Sequence, residues 1–308
     1  MTFIENIQST VAHAIRPTSG ARGAGRICKV LNRGFLRVGA PPIQVARMRD
    51  GTRMRLDLRA QTEWYTFYSG RYDDAAIALI QKLLTQLGGN FLDVGGNIGM
   101  YAVRVAAGLE SAGRSLCFEP MPHNADRIRE NASLNGLEER VEVHRIALSD
   151  TDGEAELVLR EDFEMGAATG NASIAISDDA DGRFSKIRVP MRRFDDVLSE
   201  RIGASYPVAK VDIEGHEDFF LRGATDWLHR DRPIILTEIN NWFYHKRSTT
   251  SSAVFAPSLP ENYETALLRE RGSVCELISC SIDALADLKR VETCLIYPSE
   301  RKSDLQRA

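Results

Sequence analysis

One segment of this sequence has the most specific chemical spacing. In it an acidic residue, Asp93, is followed at alternate positions by Gly95, Asn97 and Gly99. A dinucleotide fingerprint, G-x-G-x-x-G, that ended at Gly99 would have to begin at position 94, where the sequence has Val94. Asparagine tolerates left-handed backbone angles best among the non-glycine residues, so Asn97 can occupy the middle of the turn. The loop is therefore predicted to bind something other than a dinucleotide.

The charge of this loop favours a cationic ligand. A carboxylate at its start, Asp93, would repel a pyrophosphate, whereas S-adenosylmethionine (SAM) carries a sulfonium and an ammonium group and no phosphate. Glu119 lies twenty residues beyond Gly99, at the end of the next predicted strand, where a carboxylate can accept hydrogen bonds from ribose hydroxyls. The residues favour a SAM site at Asp93 and Glu119 over the alternative, a glycine-rich turn with a surface acid.

Acidic residues further along the chain are candidates for a catalytic base. If SAM is bound and its methyl acceptor is an alcohol, transfer requires alignment of the reacting atoms and removal of the hydroxyl proton. We expect Asp212, at the end of the fourth strand, to be the base, with His216 and Glu238 as further catalytic candidates. Alternatively, Asp212, Glu214 and Glu238 could share Mg²⁺ through their oxygen atoms. Other interpretations stay open: Glu214 caps the next helix, Glu238 pairs with Lys210, and His216 is a surface residue.

Alternating strands and helices must bring these side chains together. Apolar runs that predict strands end at Asp93, Glu119, Asp212 and Glu238, and segments with helical periodicity follow them. Strands joined by crossover helices predict an α/β fold with a mostly parallel, doubly wound sheet. In such sheets the ligand lies at the carboxyl ends of the strands, at the point where the strand order reverses.

The remaining segments give less specific signals. Residues 262–272 have the spacing of a helix, and 273–279 and 292–298 are predicted to be an antiparallel C-terminal strand pair. Residues 160–186 are polar and predict an irregular insertion, either a lid over the acceptor or a variable surface loop. The aromatic segment 242–244 could stack on an acceptor or belong to the core.

Basic residues are concentrated in the N-terminal part of the chain. The 308 residues carry a net charge of -4, but residues 1–59 contain eleven Lys or Arg against three acidic residues, leaving 28 basic and 40 acidic residues in the remainder. This basic arm could contact anionic lipid, nucleic acid or a phosphorylated substrate. We expect it instead to lie against the acidic body or a partner subunit, because aromatic residues for base stacking are not interleaved with the scattered charges.

The sequence resembles the FkbM-type SAM-dependent methyltransferases from about residue 43 to residue 298. The segments that carry the resemblance are FLDVGGNIGMYA, CFEPMPHN, VHRIALSDTDGEAEL, VPMRRFDDVL, AKVDIEGHEDFFLRGA and IILTEIN. In the fifth segment the family pattern is Lys-x-Asp-x-Glu-Gly followed by an acid before an apolar helix. It is matched position for position by Lys210, Asp212, Glu214, Gly215 and Glu217.

The resemblance implies a Rossmann-like class I methyltransferase fold and O-methylation of a hydroxyl on a small molecule, such as a sugar or a polyketide-like natural product. Pro120 and Ala147, which lie in two of the matching segments, complete the predicted cofactor-binding residues. Gly96 stands where alanine is expected, a change predicted only to loosen the turn. Residues 71–74 read Arg-Tyr-Asp-Asp, where the family more often has tyrosine followed by glutamate.

Four regions are expected along the chain: a basic N-terminal arm or helix (1–42), a hairpin and helix (43–88), the methyltransferase domain (89–300) and a tail (301–308). The five cysteines show no metal-type spacing and the N-terminus has no apolar signal stretch, so we expect a cytoplasmic protein without a membrane span. A homodimer is one option. An NAD-dependent oxidoreductase and a non-catalytic SAM-binding domain are the alternative functions, and nucleic acid is not an expected partner.

Overall fold

The computed structural model describes residues 3–16, 23–109, 113–159, 172–174, 185–271 and 274–308. Its N-terminal part packs helices against a hairpin: α1 (Phe3–Ile15), α2 (Ala24–Arg37), β1 (Ile43–Arg47), β2 (Arg53–Asp57), α3 (Gln61–Ser69) and α4 (Asp74–Leu87). Strands β1 and β2 pair antiparallel, with Ile43 opposite Asp57. The turn between them contains Gly51 at a φ of +91°, a left-handed conformation that glycine adopts without steric cost.

The first half of the central sheet follows directly: β3 (Phe91–Val94), α5 (Ala102–Gly108), β4 (Ser115–Phe118), α6 (Pro122–Leu134) and β5 (Val141–His144). The three strands are parallel neighbours, and Asp93 lies opposite Cys117. Every residue of β3 and β4 is buried. Such burial is typical of parallel strands that helices cover on both faces.

A smaller sheet is inserted after β5. It contains β6 (Ala147–Ser149), β7 (Gly153–Leu159), β8 (Ala172–Ile174) and β9 (Lys186–Arg193), in the order β6-β9-β7-β8. The irregular insertion predicted over 160–186 lies mostly outside the described residues. Within it, residues 172–174 form β8, which pairs with β7, and β9 begins at Lys186.

The chain then returns to the central sheet through α7 (Phe194–Ser199), β10 (Val208–Val211), α8 (Glu217–Arg222), α9 (Thr225–Asp231), β11 (Ile234–Ile239), α10 (Asn241–Lys246) and α11 (Ser251–Phe255). Strand β10 pairs in parallel with both β3 and β11. The strand order therefore reverses between β3 and β10, which makes this gap the switch point where ligands bind in open α/β sheets.

The C-terminal part adds β12 (Tyr263–Arg271), β13 (Val274–Cys280), β14 (Glu292–Pro298) and α12 (Lys302–Arg307), and the sheet order is β13-β12-β14-β11-β10-β3-β4-β5. The predicted doubly wound sheet with antiparallel C-terminal strands is confirmed, although β13 and β14 each pair with β12 rather than with each other. The helix predicted over 262–272 is wrong. Pairing with two neighbouring strands decides the conformation of a segment whose apolar spacing is ambiguous.

Strand alternation divides the core into two layers. Ala209 and Val211 of β10 face one layer, with Trp227 of α9, whereas Val208 faces the other, with Leu83 of α4. Lys210 lies two residues after Val208 and so projects from the same face, near the end of the strand. The sheet thus places a buried lysine at the switch point.

Candidate functional site

A cavity of about 360 Å³ opens at the carboxyl ends of the central strands, at the switch point between β3 and β10. It brings together ten of the residues predicted from the sequence: Asp93, Gly95, Asn97, Glu119, Pro120, Ala147, Asp212, Glu214, His216 and Glu238. Gly99 is the one predicted residue that does not line it. Gly99 packs beneath the loop, where a Cβ atom would press on Val103 and Ile128.

The glycine loop after β3 adopts left-handed backbone angles at alternate residues. The φ values are +84° at Gly95, +50° at Asn97 and +86° at Gly99. Asn97 therefore takes the conformation predicted for the middle of the turn. A Cβ atom at Gly95 would collide with the backbone oxygen of Asp212, so glycine is required there for the loop to approach the end of β10.

Gly96 is also constrained, by its neighbour on the next strand. A Cβ atom at Gly96 would collide with the Sγ atom of Cys117, which is fully buried on β4. The prediction that glycine at this position only loosens the turn is therefore wrong. Gly96 and Cys117 are sterically matched, and alanine at position 96 would require the sulfur to move.

The two carboxylates predicted to hold the cofactor are buried and accept hydrogen bonds from backbone N–H groups. Oδ2 of Asp93 accepts from Ala102 at 2.9 Å. Oε2 of Glu119 accepts from Asn97 at 2.8 Å, and its Oε1 accepts from Met121 at 2.9 Å. Burial raises the pKa of Asp93 to about 6 and the pKa of Glu119 to about 7. A nearby cation would favour the ionised form of both groups.

Lys210 supplies positive charge to the site, although the prediction did not place it among the site residues. Its Nζ donates to Oδ2 of Asp212 at 2.6 Å and lies 4.9 Å from the centre of the Tyr101 ring. Burial opposes the charged form, but the carboxylates of Asp212 and Glu238 raise the pKa of Lys210 above its ordinary value. The two-residue spacing from Asp212, which puts both side chains on one face of the strand, was the available signal.

Glu214 and Glu238 are held partly protonated near neutral pH. Burial, together with the charge of Asp212, raises the pKa of Glu214 to about 8. The charge of Asp212, together with burial, raises the pKa of Glu238 to about 7. In the described part of the chain, no three His, Cys, Asp or Glu side chains are grouped so that they could hold a metal ion. The Mg²⁺ set suggested by the sequence is thus not assembled, and the cation beside Asp212 is the Lys210 ammonium.

His216 precedes α8 and faces the cavity from the side of the smaller sheet. Its Nε2 lies 3.0 Å from Oγ of Ser149, and its ring stacks on Phe219 with the centres 4.2 Å apart. Burial lowers the pKa of His216 to about 4, so the imidazole is neutral at pH 7. The alternative of a freely exposed surface histidine does not agree with this packing.

The aromatic segment after β11 contributes to packing. Phe243 and Tyr244 are buried, and the Tyr244 hydroxyl donates to Oε2 of Glu217 at 2.7 Å. Trp242 is 45% exposed. None of the three is among the described residues that line the cavity, which favours the core interpretation for Phe243 and Tyr244.

Residues from the N-terminal part close the other side of the cavity, where the resemblance had indicated only a less certain contact at residues 71–74. Ala60, Thr62 and Glu63 around the start of α3, and Tyr72 and Asp73 before α4, line it. The Tyr101 hydroxyl donates to Oδ2 of Asp73 at 2.8 Å.

A buried arginine holds this wall in place. Arg104 of α5 is 1% exposed, and its guanidinium reaches Asp50 at 2.7 Å and Asp74 at 2.8 Å. It also donates to the backbone oxygen of Tyr72. An arginine within an apolar helix was the signal in the sequence that could have indicated such a role.

The charge of the cavity lining is strongly one-sided. Seven carboxyl side chains line it: Glu63, Asp73, Asp93, Glu119, Asp212, Glu214 and Glu238. Among the described lining residues, Lys210 is the basic side chain that is charged at neutral pH. The cavity is therefore suited to a cationic ligand and would repel a pyrophosphate.

The strand order, the switch-point cavity and the acidic glycine loop define a Rossmann-like fold of the class I methyltransferase type. A family model, the methyltransferase FkbM domain, matches residues 93–273, more than half of the chain. The chain belongs to the FkbM methyltransferase family.

Individual relatives are more distant. The chain is 32% identical over 163 residues to 2-O-methyltransferase NoeI of Sinorhizobium fredii, a match that covers 49% of this chain and 63% of NoeI, less than two thirds of that protein. An FkbM methyltransferase structure from Methylobacillus flagellatus is 15% identical, with a TM-score of 0.42, and the match covers 82% of this chain and 56% of that one. An O-methyltransferase structure from Bacillus cereus is 15% identical, with a TM-score of 0.41, and the match covers 73% of this chain and 81% of that one.

None of the described helices is long and apolar enough to cross a bilayer.

Proposed function

We propose that this chain is a SAM-dependent O-methyltransferase that methylates a hydroxyl group of a small neutral acceptor of the sugar or polyketide-like class. The observation that carries the proposal is the cavity at the switch point, which seven carboxyl side chains line against one ammonium group. SAM is a cation at its sulfur and has no phosphate, so it matches this charge. The relative NoeI, which is a 2-O-methyltransferase, supports O-methylation.

The residues around the glycine loop are suited to hold the cofactor. Glu119 is tied to the loop through the N–H of Asn97, and its carboxylate can also accept from ribose hydroxyls. Asp93 gives negative charge beneath the loop, and Pro120 and Ala147 line the same end of the cavity. The left-handed angles at Gly95 and Gly99 shape the loop. Bound SAM would supply an electrophilic methyl group.

The opposite end of the cavity is suited to receive a hydroxyl proton. Asp212 is a quarter exposed, and the ammonium of Lys210 fixes one of its oxygens and stabilises its negative charge. Glu238, with a pKa of about 7, can accept a proton at physiological pH, and neutral His216 is a third candidate. We propose Asp212 as the base that contacts the acceptor hydroxyl.

The acidic lining also restricts the acceptor. A phosphorylated or carboxylated acceptor would place further negative charge beside Glu63 and Asp73, where like charges repel. A neutral polyol avoids this cost, and its hydroxyls can donate to these carboxylates.

Calorimetric titration of the purified chain with SAM, S-adenosylhomocysteine and NAD⁺ tests the proposal. We expect both adenosyl ligands to bind and NAD⁺ not to bind. Glu119→Gln should weaken SAM binding by roughly tenfold to a hundredfold, the effect of losing one hydrogen bond to a charged group. Asp93→Asn should also weaken it, because the substitution removes negative charge beneath the loop. Asp226→Asn, a change of an exposed acid outside the cavity, is the matched control. Binding of NAD⁺ alone, or unchanged SAM affinity in both cavity variants, would refute the assignment.

A further inference from the structure

The outer face of α2 carries a concentration of basic and aliphatic side chains. Ala24, Cys28 and Asn32 form the inner face of this helix and are buried. The opposite face, which we call the basic face of α2, consists of six exposed residues: Arg26, Ile27, Lys29, Val30, Arg33 and Arg37. The residues follow one another at helical spacing, so they form a continuous surface.

The four charges of the basic face have no salt-bridge partner in the described part of the chain. Other basic residues of the N-terminal arm do have partners: Arg16 donates to the backbone of Arg47, Arg55 pairs with Glu130, and Arg59 pairs with Asp57. Of these three contacts, that of Arg55 reaches the acidic body beyond residue 59, whereas Arg47 and Asp57 belong to the basic arm itself.

Aliphatic side chains lie beside these charges. Ile27 is 60% exposed and Val30 is 71% exposed. Val38, just after the helix, is also largely exposed, and Phe3 and Ile7 of α1 are exposed as well. Exposed aliphatic side chains next to a row of lysine and arginine are typical of helices that lie on the surface of a bilayer.

The position of α2 relates this face to the cavity. Helix α2 packs on α3, and Nδ2 of Asn32 donates to the backbone oxygen of Leu58 at 2.7 Å, just before α3. Ala60, Thr62 and Glu63, around the start of α3, line the cavity. A surface that binds α2 would therefore lie one helix away from the N-terminal wall of the cavity.

We infer that the basic face of α2 docks on an anionic phospholipid surface. Four uncompensated positive charges complement the negative charge of phosphatidylglycerol or phosphatidylserine, and the aliphatic side chains can enter the interfacial region. A nucleic acid is a poorer match, because Ile27 and Val30 offer no aromatic surface for stacking between the charges. This inference is independent of the reaction that the cavity catalyses.

Flotation of the full chain with lipid vesicles tests the inference. We expect the chain to float with vesicles of equal parts phosphatidylcholine and phosphatidylglycerol and to remain unbound with phosphatidylcholine alone. The double charge reversal Arg26→Glu, Arg33→Glu should lower the affinity by roughly 30-fold or more, since each basic residue near an anionic surface contributes about a factor of five. Ile27→Ser with Val30→Ser should weaken binding without a change in charge.

A matched control distinguishes an effect of the basic face of α2 from an effect of the chain's net charge. Arg188→Glu with Lys289→Glu reverses two exposed basic residues elsewhere in the chain, and it should leave vesicle binding unchanged. Equal thermal unfolding midpoints would establish that all variants fold. The inference fails if the wild-type chain does not bind anionic vesicles, or if the control weakens binding as much as the α2 variant does. It also fails if the α2 variants change only the oligomeric state or only the binding of an RNA or DNA probe.

Discussion

The carboxyl ends of the central strands and the outer face of α2 both concentrate charge of one sign, but they differ in burial. At the strand ends, Lys210 and Glu119 are about 5% exposed, and each has a hydrogen-bond partner at 2.9 Å or less. On α2, Arg26 and Arg33 are exposed, and neither forms an ion pair with a described residue. Buried charge must be compensated inside the molecule, whereas exposed charge is available to a partner outside it.

The largest effect that this comparison predicts is on turnover. Asp212→Asn keeps the size of the side chain but removes a base, and general-base catalysis contributes roughly 10²–10⁴-fold to a rate. We expect kcat to fall by about that factor while SAM affinity changes little. Single-turnover kinetics with labelled SAM, beside equilibrium binding of S-adenosylhomocysteine, measures the two quantities separately.

Asp226→Asn is the control for this substitution, because Asp226 is an exposed acid on α9 outside the cavity. An unchanged kcat in Asp212→Asn would remove Asp212 from the catalytic role and transfer the proposal to Glu238 or His216. A comparable loss in the control variant would show that the effect is not specific to the cavity.

A smaller effect is predicted on stability, from two lysines that differ in burial. Lys210→Met leaves the carboxylate of Asp212 without its cation, and breaking a buried ion pair costs about 3–5 kcal/mol. Lys29→Met, on the exposed face of α2, should change the free energy of unfolding by less than about 0.5 kcal/mol. Urea unfolding of both variants measures the difference. Similar values for the two lysines would contradict the division between compensated and uncompensated charge.

The site residues that could be predicted from the sequence are those that lie at the ends of strands. Asp93, Glu119, Asp212 and Glu238 each follow an apolar run, and the parallel sheet brings them to one edge because its strands share a direction. The left-handed turn at Asn97 was also predictable, since few residue types adopt it.

What could not be predicted depends on contacts between distant segments. Tyr72 and Asp73 reach the cavity because buried Arg104 binds both the turn at Asp50 and the start of α4. Each of these two partners lies more than 25 residues from Arg104 in the sequence. The strand over 263–271 forms because it has a neighbour on each side. Periodicity within one segment does not contain either kind of information.

The smallest predicted effect is the pH dependence of stability. Glu119, Glu214 and Glu238 have pKa values raised to between about 7 and 8. Burial is the main cause for Glu119, burial and the charge of Asp212 for Glu214, and the charge of Asp212 and burial for Glu238. At these three groups the folded chain binds more protons than the unfolded chain above about pH 5, so their contribution to the free energy of unfolding falls as the pH rises through 7 to 8. Between pH 6.5 and pH 8 we expect Glu119 by itself to account for a loss of about 1 kcal/mol.

The range of pH chosen for this measurement matters, because His216 acts in the opposite direction. Its pKa, lowered by burial to about 4, makes it a stabilising neutral group above pH 6.5 and a destabilising one as the pH falls from 6.5 to 4. Comparing urea unfolding of the wild type and of Glu119→Gln at pH 6.5 and pH 8 therefore isolates Glu119, because His216 and Cys280, which act in the opposite direction, are common to both chains. Glu119→Gln should flatten the dependence, whereas Lys29→Met should leave it as in the wild type. A pH dependence that Glu119→Gln does not alter would mean that Glu119 is already ionised in the folded chain.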